Sequence, residues 1–75
     1  MATLREHRRR KLYSIASLAK ASGVSTKTIV DLEHGRTVPR LVTIRKLSEQ
    51  LGVEPSEVEE FHRTIEEDGE GKLAA

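Results

Sequence analysis

The chain contains no cysteine and no tryptophan, and its aromatic residues are limited to Tyr13 and Phe61. Without cysteine it has neither a disulfide framework nor a thiolate zinc site, a composition that suits a reducing cytoplasm. No apolar run exceeds a few residues, so neither a signal peptide nor a membrane span is expected. The three histidines, His7, His34 and His62, fall on separate segments with no His-x-x-x-His pair and no carboxylate-histidine cluster. A metal or catalytic centre is therefore not expected, and with no glycine-rich phosphate loop no cofactor and no enzymatic activity are expected either. No run of alternating apolar and polar residues is long enough for a strand, which leaves an all-α chain with an aliphatic core.

At 75 residues the length allows one domain and a small core. We place the domain at residues 1–67 and read 68–75 as a flexible tail. Its ending, Lys72-Leu73-Ala74-Ala75, resembles residues left by an expression vector. The formal net charge of +1 conceals a division along the chain. Residues 1–53 hold eleven Lys and Arg against four Asp and Glu, a net +7, whereas 54–75 hold two against eight, a net −6. A basic body suits the phosphate backbone of a nucleic acid, and an acidic tail belongs on the face turned away from it. A charge run is ordinarily a solvated helix face, and for Arg5, Arg9 and Arg10 that reading stands level with a nucleic-acid arm.

Helix signals follow one another closely. Leu4 to Leu12 is predicted as a first helix with Leu4 inward. Ser14 is positioned to cap a second helix running to Ala21, Gly23 to supply a left-handed turn, and Ser25 to cap a third helix from Thr26 to Glu33. Two helices joined by so short a turn must cross steeply, with the small Ala19 at the crossing and Leu18, Val24, Ile29 and Leu32 packing beneath it. The pattern reads as a helix-turn-helix that offers one helix to a DNA major groove. Gly35 stops the third helix, and Pro39 precedes a fourth with an inner stripe of Leu41, Ile44, Leu47 and Leu51. A last helix is predicted near Pro55, with Val58, Phe61 and Ile65 on one face.

The run from Ser14 to Ser25, followed by Ile29, Leu32-Glu33, Gly35, Pro39, Thr43, Leu47 and Leu51-Gly52-Val53, resembles the Cro/C1-type (XRE-like) helix-turn-helix family. The resemblance covers roughly residues 4 to 60. It implies a five-helix, lambda-repressor-like domain that binds double-stranded operator DNA, usually as a homodimer. It also implies that Arg8 pairs with Glu33, locking the recognition helix against the first helix. Thr26, Lys27 and Asp31 match the family's base-contacting positions, with Val30 beside them. Lys27 suits guanine O6 or N7, Asp31 suits cytosine N4, and Thr26 or Val30 suits a thymine methyl. Asp31 is the awkward member near phosphates unless it pairs with a cytosine amine or a neighbouring base such as Lys27, and one role for it is rejection of wrong sequences. Phosphate contacts are expected from Ser14 at the second helix N-terminus, from Ser25, and from His34, Arg36, Thr37 and Arg40 around the following loop. Ile15 departs from the family, which commonly carries glutamine there, and its more natural place is the local core.

Phe61 and Ile65 form a small apolar stripe on an acidic helix, which suits either a two-fold dimer interface or folding back of Phe61 onto the first or fourth helix. Three functional expectations follow: a cytoplasmic transcriptional repressor acting as a homodimer, an antitoxin-type autorepressor whose acidic C-terminal helix engages a protein partner, or a protein-interaction module that keeps the fold without reading DNA and docks a partner through Phe61 and Ile65.

Overall fold

The computed structural model describes residues 1–69, with side chains described through Glu66. Five α-helices follow in order: α1 Leu4–Arg10, α2 Ile15–Ser22, α3 Thr26–Glu33, α4 Leu41–Leu51 and α5 Glu59–Gly69, with a 3-10 turn at Pro55–Glu57 before the last. The expectation for a tail at 68–75 lies, beyond Gly69, outside the described residues.

Local chemistry opens the first three helices. Thr3 accepts the Glu6 amide at 3.2 Å while the Glu6 carboxylate accepts the Thr3 amide at 2.9 Å, a reciprocal cap on α1. The Thr3 amide and then its hydroxyl hold the Glu6 carboxyl below the ordinary glutamate value. Ser14 and Ser25 cap α2 and α3 by accepting the Ser17 and Thr28 amides. Between them Gly23 takes a φ of +79°, and its amide donates to Ala19 O at 2.9 Å, ending α2. Val24 is buried immediately after, so the turn is both a hinge and a core plug.

The end of α1 departs from expectation. The helix stops at Arg10 rather than Leu12, and Leu12 adopts a φ of +60°, a left-handed conformation unusual for leucine. Leu12 N donates to Arg9 O and Tyr13 N to Arg8 O, the paired closure normally made with glycine in the left-handed position. Arg8 Nη1 adds a bond to Tyr13 O at 2.9 Å. The left-handed conformation costs an L-residue about 1–2 kcal/mol, and Leu12 is 92% exposed with little packing to lose. Leu12→Gly is therefore expected to stabilise the fold by about 0.5–1 kcal/mol, glycine's greater unfolded-state entropy offsetting part of the gain. The check is a rise in urea midpoint at constant slope.

Among the described residues ten side chains form the core: Leu4, Leu18, Val24, Ile29, Leu32, Ile44, Leu47, Leu51, Val58 and Phe61. Tyr13, Ile15, Ala19, Val53 and Ile65 are half-buried around it. The inner stripe of α4 is not the expected one. Leu41, at the first position of the helix, is 42% exposed, and Ser48 is buried in register between Ile44 and Leu51. At helical spacing residue 48 lies four after 44 and three before 51, so it shares their face whatever its polarity. Ser48 Oγ has no hydrogen-bond partner. Ser48→Ala removes a buried unpaired hydroxyl and raises helix propensity, and is expected to stabilise by about 1 kcal/mol in thermal or urea unfolding.

The C-terminal part is held by the N-terminus. Ala2 makes a parallel bridge to Val58, Ala2 O accepts the Glu59 amide at 2.9 Å, and Leu4 N donates to Glu60 Oε1 at 2.8 Å. His7 Nε2 lies 3.0 Å from Glu57 O. These contacts keep Val58 extended, so the helix expected near Pro55 becomes a 3-10 turn, one extended residue and then α5. They also turn Phe61 inward. It is fully buried in a single chain, so of the two expected placements the ring takes the one that folds back into the core rather than the dimer interface, and Ile65, one turn further, is half-buried against that core.

Candidate nucleic-acid interface

Helix α3 is anchored by its inner residues and presents the others. Ile29 and Leu32 are buried, while Thr26 and Lys27 are exposed and Thr28, Val30 and Asp31 are half-buried. At its far end Glu33 is seized by α1. Arg8 Nε donates to Glu33 Oε2 at 2.7 Å and Arg8 Nη2 to Glu33 Oε1 at 3.1 Å, with the two side chains only 10% and 4% exposed. A planar fork meeting a carboxylate with two parallel bonds fixes direction as well as distance. The third guanidinium nitrogen, on Tyr13 O, ties the same cation to the start of the helix-turn-helix. Helix α1, the turn that follows it and the distant end of α3 thus meet at one side chain, which fixes the tilt of α3.

Lys27 and Asp31 are brought together. Lys27 Nζ donates to Asp31 Oδ2 at 2.9 Å, and Arg36 Nη1 approaches Asp31 Oδ1 at 3.6 Å. The Lys27 hydrogen bond outweighs the opposing effect of burial and, with the charges of Lys27 and Arg36 added, holds the Asp31 carboxyl below the ordinary aspartate value. Arg36 is delivered by the helix end itself: Gly35 takes a φ of +69°, and the Arg36 amide donates to Asp31 O at 2.8 Å. A side chain at position 35 would oppose that left-handed turn. Thr37 and Arg40 follow on the exposed loop. His34 Nδ1 lies 2.8 Å from Val30 O, folded back along the helix that it ends.

The two serines among the expected phosphate contacts are engaged in capping. Ser14 Oγ lies 3.0 Å from both the Ser17 amide and Ser17 Oγ, and Ser25 Oγ donates to Thr28 Oγ1 at 2.8 Å besides accepting the Thr28 amide. Both remain exposed. Ile15 is half-buried against the core, in keeping with an apolar residue at that helix start. Between α3 and the loop into α4 runs a shallow groove of about 350 Å³, bordered by Lys27, Asp31, Thr37 and Arg40 and also by Thr28 and Thr43. Neither of the last two was expected from the sequence to contact DNA, although Thr43 stands among the residues that carry the family resemblance. The signal for Thr43 was that match together with its place in the first turn of α4, three residues after Arg40.

The described residues contain no group of three or more His, Asp or Glu side chains arranged to hold a metal ion, and no helix long and apolar enough to cross a membrane. No curated protein and no solved structure gives a significant match to the chain. A family model described as helix-turn-helix matches residues 4–58, most of the chain and the whole of the arrangement from α1 through α4. With its all-helical fold, its capped turn and its clamped third helix, the chain belongs to the Cro/C1-type helix-turn-helix family of DNA-binding transcriptional regulators.

Proposed function

We propose that the protein is a sequence-specific repressor that binds a pseudo-palindromic operator as a homodimer, with α3 in the major groove. The observation that carries this reading is the pose of α3: one end fixed by the buried Arg8–Glu33 fork, the outer face free, and the exposed cations Lys27, Arg36 and Arg40 grouped beside it. Thr26, Lys27 and Val30 are then the side chains within reach of base edges, and Arg36, Thr37 and Arg40 set register on the sugar-phosphate chain. The first amides of α2, with Ser14, supply a further phosphate contact, and Ser25 and His34 lie beside the same backbone. An eight-residue helix reads only a few base pairs, so specificity calls for two copies with their α3 helices about 34 Å apart, one turn of the duplex. Inward burial of Phe61 removes the apolar anchor of the interaction-module reading and favours DNA as the partner.

Selection from a random duplex pool at moderate salt tests this directly. A two-fold symmetric enriched site is the expected result, and failure to enrich any sequence overturns it. Lys27→Ala combined with Arg40→Ala is expected to lower affinity at the selected site by more than tenfold and to flatten its salt dependence, since each lost phosphate contact removes about 0.9 from the logarithmic slope. Unchanged affinity assigns DNA contact to another face.

A further inference from the structure

We infer that Asp31 is a specificity-determining positioning residue that tethers Lys27 and Arg36, restraining their attraction to any phosphate, and does not itself read a base. The inference rests on the DNA-binding reading of α3. Its basis is the asymmetry of the two ion pairs. Lys27 and Arg36 are 85% and 63% exposed, long and free to sweep, whereas Asp31 is 19% exposed and holds one cation on each carboxylate oxygen. Its backbone is fixed too, because its carbonyl accepts the Arg36 amide in the closure of the helix. The carboxylate is thus a stationary point between two mobile charges, with a cation beside each oxygen.

That geometry bears on discrimination. A cytosine amine would have to share or displace a cation at either carboxylate oxygen, since Oδ2 accepts from Lys27 and Oδ1 lies 3.6 Å from the Arg36 guanidinium. A phosphate met at random must draw the cations away from Asp31 and leave its charge facing the DNA without a partner. On a matching sequence, bidentate contact from Lys27 to a guanine edge compensates for the broken pair. Exposed ion pairs are individually weak, so each restrains nonspecific binding only a few-fold, but both act at every wrong site.

The experiment compares wild type with Asp31→Asn on two labelled duplexes, a site enriched by the wild-type protein and a scrambled duplex of the same composition, across a range of salt. Asparagine keeps the shape and removes the charge. The expected result is a rise of roughly three- to tenfold in affinity for the scrambled duplex, a salt slope steeper by about one, and a matching fall in the ratio of selected to scrambled affinity. Adding Arg36→Gln to Asp31→Asn is expected to return the slope towards wild type. Thermal unfolding of each variant confirms the folded fraction used in the fits. An unchanged slope and ratio overturn the tether. A loss of affinity confined to the selected duplex overturns it in favour of a direct base contact by Asp31. A wild-type protein with no salt-dependent duplex binding overturns the DNA reading itself, and the tether with it.

Discussion

Phe61→Ala is expected to cost about 3–5 kcal/mol, the range for truncating a fully buried aromatic ring. Phe61 is the largest of the fully buried side chains, and at 0% exposure no part of it waits for a partner. Folded proteins of 75 residues have roughly 4–11 kcal/mol of total stability, so this single truncation removes a large share. The effect is expected to be independent of protein concentration, because the ring is buried within one chain. Urea unfolding followed by circular dichroism at two concentrations a hundredfold apart is the check. A loss below about 1 kcal/mol, or one that appears only on dilution, would return Phe61 to an interface between chains. Its burial also explains how so few residues suffice. The N-terminal bridge at Ala2 and the Glu60 carboxylate on the Leu4 amide draw α5 onto the body, and the ring seals that junction.

Glu33→Ala is expected to have an effect of similar size, about 3–5 kcal/mol, by a different route. The substitution removes little apolar packing but leaves the Arg8 cation buried with only Tyr13 O remaining of its three acceptor contacts. Neither side chain exceeds 10% exposure, so water replaces the missing carboxylate poorly. Glu33→Gln, which keeps one acceptor oxygen, is expected to lose less. Replacing both partners by apolar residues of similar volume, Arg8→Met with Glu33→Leu, is expected to recover most of the loss, because the pair's attraction barely exceeds the cost of desolvating it. Unfolding midpoints for the two single variants and the double variant close the cycle. Additive losses would show that Arg8 and Glu33 act separately. The fork's contribution is then chiefly one of direction: it holds α3 at a fixed tilt to α1, which burial of Ile29 and Leu32 alone does not.

Much of this was legible because it is local. Ser14, Gly23, Ser25 and Gly35 mark helix boundaries through their own side chains or their tolerance of positive φ, and the structure places each at the boundary it signals. The spacing of Leu18, Ile29, Leu32, Ile44, Leu47 and Leu51 identified most of the core, since a helical repeat of apolar residues has few other uses. The meeting of Arg8 and Glu33 came from the family resemblance, and no local rule links positions 25 residues apart.

The departures share one cause. Nothing near Leu12 announces a left-handed leucine; that conformation is held by the end of α1 and by Arg8 reaching Tyr13 O. Leu41 reads as a core residue, and the register of α4 against its neighbours exposes it while burying Ser48. For Asp31 the sequence offers Lys27 as a partner, and the closure of α3 adds Arg36 at its second oxygen.

By itself, then, the sequence determined the helical class, four of the five helix starts, the turn between α2 and α3, and a basic body set before an acidic end. Only the tertiary structure decided that Phe61 faces inward, that Ser48 is buried without a partner, and that the N-terminal residues bind the start of α5. The physical reason is range. Caps, turns and periodicity act over three or four residues and are written in neighbouring letters, whereas burial and ion pairing depend on which distant segment arrives alongside.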